Sequence, residues 1–220
     1  MKRTSLALLV LSIVVSTLAQ NPGDLENQFY FRFGYSNPTS SYFGIDDDAY
    51  WDIVSKIGGT FELGSIFMIN SAALADGLRL GINVDYAEFS YNQLKELVPP
   101  STLYTGLVKL SSKIGPSLSY SPASHLVFDV FVKAKIPWVG GIVRWYKDGD
   151  VDDVFIAGPG IGIATGLNIR YRFLMFGFEF NSDRMKFESM DNEGTYFGNY
   201  SDDSDLTPLP SLSFTFGFSF

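Results

Sequence analysis

The only histidine of the chain is its clearest candidate for acid–base or nucleophilic chemistry. His125 has Ser121 and Ser124 close by in the sequence. A serine–histidine pair becomes reactive only when a further group orients the imidazole and other donors stabilise an oxyanion. No neighbouring residue supplies either element, and His125 falls in a predicted short turn. We therefore predict a turn histidine, no catalytic residues and no enzyme.

Two further stretches match ligand-binding loops only in part. Residues 158–166 are rich in glycine, but no Lys-Ser/Thr pair and no helical pattern follow, and Pro159 interrupts the run, which excludes a phosphate loop. Residues 148–153 begin like a calcium loop, yet Asp153 stands where the turn glycine belongs and Pro159 where the closing glutamate belongs. A weakly held divalent ion remains open here, and we favour a solvated acidic loop. The sequence predicts no metal site and no cofactor.

Charged residues at alternate positions of several segments form the remaining candidate site. Because side chains of a strand point alternately to its two faces, these charges share one face. The basic members are Arg32, Arg79, Lys109, Lys113, Lys133, Lys135 and Arg170, and the acidic members are Glu62, Asp85, Asp129 and Glu179. An Arg or Lys facing lipid near the bilayer midplane costs about 2–4 kcal/mol, so a membrane barrel would turn these side chains inward.

Opposite charges on neighbouring predicted strands indicate ion pairs within that interior. We expect Glu62 beside Arg32 and Arg79, Asp129 beside Lys109 and Lys113, and Glu179 beside Arg170. An eight-stranded barrel has an interior just wide enough for its side chains, so an ion-paired plug is predicted. The alternative is a narrow path that prefers anions, because the inward basic residues outnumber the acidic ones.

Eight segments with period-two alternation must position these charges. They lie near residues 27–36, 56–69, 77–90, 105–120, 126–136, 154–169, 174–187 and 208–220. Their lengths suit tilted strands that cross hydrocarbon, which need roughly 9–11 residues each. The sequence therefore predicts an all-β protein with an eight-stranded antiparallel up-and-down transmembrane β-barrel.

The connections between these segments alternate in length. Residues 37–55, 91–104, 137–153 and 188–207 are predicted long loops, and residues 70–76, 121–125 and 170–173 are predicted short turns. Long loops at one end and short turns at the other are typical of outer-membrane barrels. Pro116 and Pro159 fall inside segments and cannot donate to a strand ladder, so we expect both at strand ends or bulges.

The last segment carries the most regular alternation. Its apolar face consists of Leu212, Phe214, Phe216, Phe218 and Phe220. It resembles the C-terminal recognition strand of Gram-negative outer-membrane β-barrels, whose last residue is usually Phe. Over residues 20–220 the pattern is similar to the small eight-stranded OmpA/OmpX-like barrels, and most to those of the Bacteroidetes type. The resemblance implies that these five residues are an assembly signal, read by the outer-membrane insertion machinery.

The N-terminal segment predicts export. Lys2 and Arg3 precede an apolar run at residues 6–15, and Thr17 and Ala19 are small residues suited to a signal peptidase. This run is shorter than the roughly 17–25 residues of a transmembrane helix. We predict a signal peptide at residues 1–19 and an outer-membrane barrel domain at residues 20–220.

Charge and cysteine content limit the possible partners. Without Lys2 and Arg3 the chain has 14 basic and 24 acidic residues, which argues against nucleic-acid binding. The absence of cysteine excludes disulfides and a lipidated cysteine.

We expect a monomer of the bacterial outer membrane, in contact with its lipid and lipopolysaccharide, acting through long loops in surface interaction or envelope integrity. Two alternatives stay open, a narrow porin-like solute channel and a secreted soluble barrel with an apolar, lipid-carrying lumen.

Overall fold

The computed structural model describes residues 25–39, 53–96, 104–147, 150–186, 188–190, 196–199 and 206–220. The strands are β1 (Gln28–Pro38), β2 (Ile53–Ala75), β3 (Leu78–Glu96), β4 (Tyr104–Ala123), β5 (Leu126–Lys147), β6 (Asp150–Tyr171), β7 (Leu174–Met185), β8 (Glu188–Met190), β9 (Tyr196–Asn199) and β10 (Thr207–Ser219). The predicted signal peptide lies outside the described residues. Within them, no helix has the length and apolar character needed to span a membrane.

Eight of these strands close into an antiparallel barrel. Each strand from β1 to β6 pairs with the strand that follows it, and β7 pairs with β10. The seam between β1 and β10 runs from the Tyr30–Ser219 pair to the Pro38–Ser211 pair. The two short strands β8 and β9 form an added hairpin on the edge of β6. The predicted eight-stranded antiparallel barrel is confirmed.

The strand pairs are staggered around the barrel. The register can be followed once around the barrel, from each residue to its pairing partner on the next strand. Starting at Gly166 on β6, the successive partners are Glu179, Ser213, Ser36, Gly58, Asn92, Leu107, Gly141 and Ile156. Ile156 is again on β6, ten residues from Gly166. A stagger of this size over eight strands tilts them by roughly 40° and leaves an interior that side chains fill. Residues at the same height in the lumen therefore come from strands that are not neighbours.

The two faces of the barrel wall have opposite polarity. Outward side chains are apolar and exposed, as in Ile136 at 63 % and Phe214 at 53 %. Inward side chains are buried and mostly polar or charged, as in Arg32 and Lys133, both at 0 %. A smaller group of inward apolar side chains includes the cluster of Tyr30, Ile66, Met68 and Met175. From Ser211 onward the inward face of β10 carries only small residues, Ser211, Ser213, Thr215, Gly217 and Ser219. This polarity is the reverse of what a lipid-carrying soluble barrel requires.

The apolar exterior divides into two kinds of surface. On β1, β7 and β10 it is mainly phenylalanine, here called the aromatic face: Phe29, Phe31, Phe33, Phe176, Phe178, Phe180, Phe214, Phe216, Phe218 and Phe220. Rings of adjacent strands touch there, with 5.0 Å between the centroids of Phe178 and Phe214. On β4, β5 and β6 the exterior is mainly aliphatic, as in Ile114, Val132 and Ile163.

Three two-residue turns connect strands at one end, called the short-turn end. They are Asp76-Gly77, Ser124-His125 and Arg172-Phe173. Each turn contains one residue with a positive φ: 74° at Gly77, 67° at His125 and 54° at Arg172. These turns lie within or at the edge of the three segments predicted to be short, and His125 is a turn residue as expected.

At the other end, called the long-loop end, the strands extend further than predicted. The predicted loop 137–153 is wrong, because β5 continues to Lys147 and β6 starts at Asp150. β8 and β9 likewise lie within the predicted loop 188–207, and β3 continues to Glu96. Residues 40–52 and 97–103 of the other two predicted loops lie outside the described residues. The prediction ended each strand where the hydrocarbon-spanning length ended, whereas backbone pairing continues beyond that length.

Both strand prolines contradict the expectation of strand ends or bulges. Pro116 faces outward in the middle of β4, opposite Ile82 of β3. Pairing of β4 with β5 is skipped between Ile114 and Ser117, yet the register is the same on both sides of the gap. Pro159 lies within β6, and its carbonyl accepts a hydrogen bond of 3.0 Å from the backbone N–H of Lys186. A missing donor is tolerated because the flanking pairs hold the register.

Candidate functional site: the charged lumen

Six basic and six acidic side chains fill the described interior of the barrel. They are Arg32, Lys109, Lys113, Lys133, Lys135 and Arg170, and Glu62, Asp85, Glu88, Asp129, Glu179 and Asp183. Eleven of these residues are at most 2 % exposed, and the Lys109 side chain is 12 % exposed. Buried charges are costly unless they are paired. Equal numbers of the two signs make this set electrically neutral.

Lys113 on β4 is the centre of the set. Its Nζ lies 3.4 Å from Glu62, 3.5 Å from Asp85 and 3.5 Å from Glu88, and it also donates a hydrogen bond to Glu179. These four carboxylates come from β2, β3 and β7. One ammonium group thus joins strands on opposite sides of the lumen.

Arg32 on β1 crosses the lumen in the same layer. Its guanidinium pairs with Glu62, donates to Asn168 on β6 at 2.5 Å, and has Nη2 3.5 Å from Glu179. Gly177 leaves the space for this side chain, because an added Cβ there would lie 2.5 Å from Nη1 of Arg32. The glycine and the arginine therefore form one packing unit.

Three lysines continue the network toward the long-loop end. Lys133 lies 2.5 Å from Asp85 and 3.2 Å from Glu179, and its Nζ is 4.1 Å from the ring centroid of Phe131. Lys135 lies 2.8 Å from Glu88 and 3.3 Å from Asp183. Lys109 lies 2.7 Å from Asp183. From Arg32 to Lys109 each charge is in contact with one of opposite sign.

A second cluster lies nearer the short-turn end. Arg170 on β6 holds Asp129 on β5 with two hydrogen bonds, 2.6 Å from Nε and 2.8 Å from Nη2. Ser119 donates to the same carboxylate at 2.6 Å, and Arg170 also donates to Gln28. Paired hydrogen bonds between a guanidinium and a carboxylate are among the strongest side-chain contacts.

The structure changes most of the predicted ion-pair partners. Glu62 does pair with Arg32, as predicted. Asp129 pairs with Arg170, whereas the prediction gave it Lys109 and Lys113. Glu179 pairs with Lys113, Lys133 and Arg32, whereas the prediction gave it Arg170. The predicted partners were wrong because alternation identifies the inward face but not the height of a residue in the lumen.

The predicted inward residue Arg79 lies apart from the twelve charged residues of the lumen, which are here called the central set. It stands near the short-turn end of β3, where its Nη1 donates to the carbonyl of Leu25 at 3.0 Å. Glu62 of β2 pairs with Glu88 of β3. Glu88 lies nine residues beyond Arg79 on β3, which is roughly 30 Å along the strand. The predicted pair of Arg79 with Glu62 is therefore wrong.

The prediction omitted two inward carboxylates. Asp183 follows from extending the alternation of β7 by one further step beyond Asn181. Glu88 is harder to find, because a bulge after Asp85 reverses the parity of β3 in its pairing with both neighbours. The signal is in the sequence, since the outward residues change from even positions, ending at Tyr86, to odd positions, starting at Phe89.

The remaining candidate chemistry has a structural explanation. Glu62, Glu88 and Glu179 bring carboxylate oxygens within 4.8 Å of one another, an arrangement that could hold a metal ion. Lys113 contacts all three, and its ammonium group already supplies the positive charge. Of the glycine-rich run, residues 158–166, the glycines at 158, 160, 162 and 166 lie on the inward face of β6. In the described lumen, these acidic and glycine residues are thus accounted for by ion pairing and by strand packing.

An antiparallel barrel with an apolar exterior and an ionic interior is the arrangement of transmembrane β-barrels, in which every backbone group is paired and no edge meets lipid. Solved structures of outer-membrane barrels share the fold. The outer-membrane protease OmpT of Escherichia coli aligns with 92 % of this chain and 99 % of its own, with a TM-score of 0.50 and 9 % identity. At such identity the likeness concerns the fold.

Two smaller outer-membrane proteins align over most of their length as well. The alignment with a major outer membrane protein of Thermus thermophilus covers 88 % of this chain and 99 % of that protein, with 14 % identity and a TM-score of 0.47. The alignment with OprG of Pseudomonas aeruginosa covers 90 % of this chain and 98 % of OprG, with 14 % identity and a TM-score of 0.43. No family model and no curated protein matches the chain.

Proposed function

We propose that this protein is an integral β-barrel of the bacterial outer membrane, exported by a signal peptide at residues 1–19. In this proposal it serves surface interaction or envelope integrity through its long-loop end, and its lumen is closed. The observation that carries the proposal is a neutral, mutually paired set of charges inside a barrel whose exterior is apolar.

A closed lumen follows from the cost of displacing these pairs. An ion passing Lys113 would separate an ammonium group from carboxylates on three strands, and unpaired buried charges are strongly unfavourable. The alternative of an anion-preferring path depended on an excess of inward basic residues. Glu88 and Asp183 remove that excess from the central set, so the closed lumen is the better supported function.

The finer assignment rests on resemblance. The number of barrel strands supports the eight-stranded OmpA/OmpX-like assignment, and the Bacteroidetes-type assignment rests on the resemblance of the sequence alone. In this proposal the outward residues of β10, Leu212 to Phe220, are the assembly signal. The protein is also proposed to be a monomer. It is proposed to lack enzymatic activity, because the lumen carboxylates are engaged by cations and His125 occupies a turn at the opposite end from the long loops.

Bilayer recordings test whether the lumen conducts. We expect the refolded protein to give no discrete conductance steps, because paired side chains fill the lumen. The sample should first show the heat-dependent gel mobility of a folded barrel, and a known porin inserted under the same conditions serves as the positive control. Discrete anion-selective steps from the folded protein would instead establish the channel alternative.

Single-cysteine labelling tests the location and orientation, because the chain contains no cysteine. Phe155→Cys places an exposed thiol on β6 near the long-loop end, and Ser124→Cys places one in a short turn. We expect a membrane-impermeant maleimide to label the first variant in intact cells, and the second only after the outer membrane is permeabilised. Equal labelling of both in intact cells would contradict the proposed orientation.

A further inference from the structure

Two basic side chains stand out on the apolar exterior. Arg184 at the end of β7 and Lys186 just beyond it both face outward and are exposed. Between the two ends of the barrel, the other outward side chains described on the strands are uncharged. No carboxylate in the described part of the chain pairs with either cation. This position therefore offers two positive charges to a partner outside the barrel.

A groove lies on the aromatic face below these two cations. It encloses about 550 Å³ and is lined by Phe33, Tyr35, Phe176, Phe178, Phe214 and Phe216, together with Gly34 and Gly177. Its walls are rings from β1, β7 and β10 together with Leu167 and Ile169 of β6, and 5.2 Å separates the ring centroids of Phe176 and Phe216. In hydrocarbon, close packing rather than the hydrophobic effect decides which apolar groups associate. A groove with rigid walls offers such packing to one flexible chain.

The spacing of the groove and the cations matches one bilayer leaflet. Arg184 lies six residues beyond Phe178 on β7, which is roughly 20 Å along the strand. With a strand tilt of roughly 40°, this corresponds to about 15 Å along the bilayer normal, or half of a hydrocarbon core of about 30 Å. The groove therefore reaches the depth of acyl chains, while the two cations reach the depth of headgroups.

We propose that the aromatic face binds a lipid of net negative charge whose headgroup carries a phosphate without an attached cation, in the leaflet at the long-loop end. One acyl chain lies in the groove, and the phosphate lies between Arg184 and Lys186. The charge argues for this occupant, because a neutral lipid or a second copy of the same face would leave both cations without a counter-charge. The inference rests on the proposed membrane location.

The test uses the folded full-length barrel in nanodiscs of phosphatidylcholine. Phosphatidic acid, diacylglycerol with the same chains, and glycerol phosphate are added in parallel, and the thermal unfolding midpoint is followed by gel mobility. We expect phosphatidic acid alone to raise the midpoint in a saturable manner. In the double variant Arg184→Gln/Lys186→Gln, the apparent affinity of the protein for phosphatidic acid should fall about tenfold or more, because charge-assisted contacts to the phosphate are lost.

Matched variants separate this site from general effects of charge and bulk. Arg172→Gln removes one exposed cation at the short-turn end, and Phe61→Ala removes an outward ring of similar exposure, 44 % against 42 % for Phe178. Phe178→Ala should weaken the effect of phosphatidic acid, while both control variants leave it unchanged. An equal response to diacylglycerol, or full retention in the double glutamine variant, would overturn the inference. Failure of the folded protein to enter any nanodisc would instead overturn the proposed membrane location.

Discussion

Replacing Lys113 by methionine is expected to destabilise the barrel by about 3–5 kcal/mol, because removing one partner leaves buried charges uncompensated. Lys113 contacts Glu62, Asp85, Glu88 and Glu179, all at most 2 % exposed. Arg32, Lys133 and Lys135 contact the same carboxylates, but their charges already belong to the balance of the network, so the variant leaves one net negative charge buried. The measurement is the free energy of unfolding in urea, with the barrel inserted in lipid vesicles.

Two variants show whether this loss comes from charge. Arg172→Met removes one exposed cation at the short-turn end and should alter the free energy of unfolding by less than about 0.5 kcal/mol. Adding Glu179→Gln to Lys113→Met restores the neutrality of the lumen and should recover part of the stability. If Lys113→Met costs no more than Arg172→Met, the charges of the lumen do not hold the barrel together.

Placing an arginine on the exterior at Val132 is expected to cost about 2–4 kcal/mol, because a charged side chain near the midplane faces lipid. Val132 lies on the aliphatic part of the exterior and is 51 % exposed. It lies six residues from Leu126, the short-turn end of β5, beside the inward Lys133. At a strand tilt of roughly 40° this is about 15 Å along the bilayer normal, which is half of a hydrocarbon core of about 30 Å. The cost should appear in the free energy of unfolding in vesicles and shrink in detergent, whose micelle adapts to the charge.

Ile142→Arg provides the matched control on the same strand. Ile142 is 43 % exposed and lies ten residues beyond Val132, roughly 33 Å toward the long-loop end. At that height an arginine meets headgroups or water and should cost at most about 1 kcal/mol. Equal, small costs at both positions would mean that the exterior does not face lipid, and the membrane assignment would fail.

The orientation of the wall was predictable because it depends only on period-two alternation. Phe176, Phe178 and Phe216 face outward and Lys113 and Lys133 face inward, as their positions in the alternation require. The strand number followed from counting such segments. Neither inference needed any knowledge of how one strand is aligned against the next.

The ion-pair partners were not predictable because they depend on register. Asp129 lies on the strand next to Lys109 and Lys113, yet its partner on β4 is Ser119, six residues from Lys113. The stagger of the barrel brings Lys113 to the height of Glu179 across the lumen instead. The bulge in β3 had the same effect on Glu88, since one extra residue reverses every later position of the strand.

The small inward residues of β10 have a consequence for how the cylinder is assembled. β10 contributes no charge to the lumen, and the strands on its two sides, β1 and β7, already meet through Arg32 and Glu179. The electrostatic framework can therefore gather the other seven strands into a gapped cylinder before the last gap is filled. Insertion of β10 then moves only uncharged side chains past the framework, namely hydroxyl groups, Leu209 and Gly217, so zipping the seam separates no opposite charges.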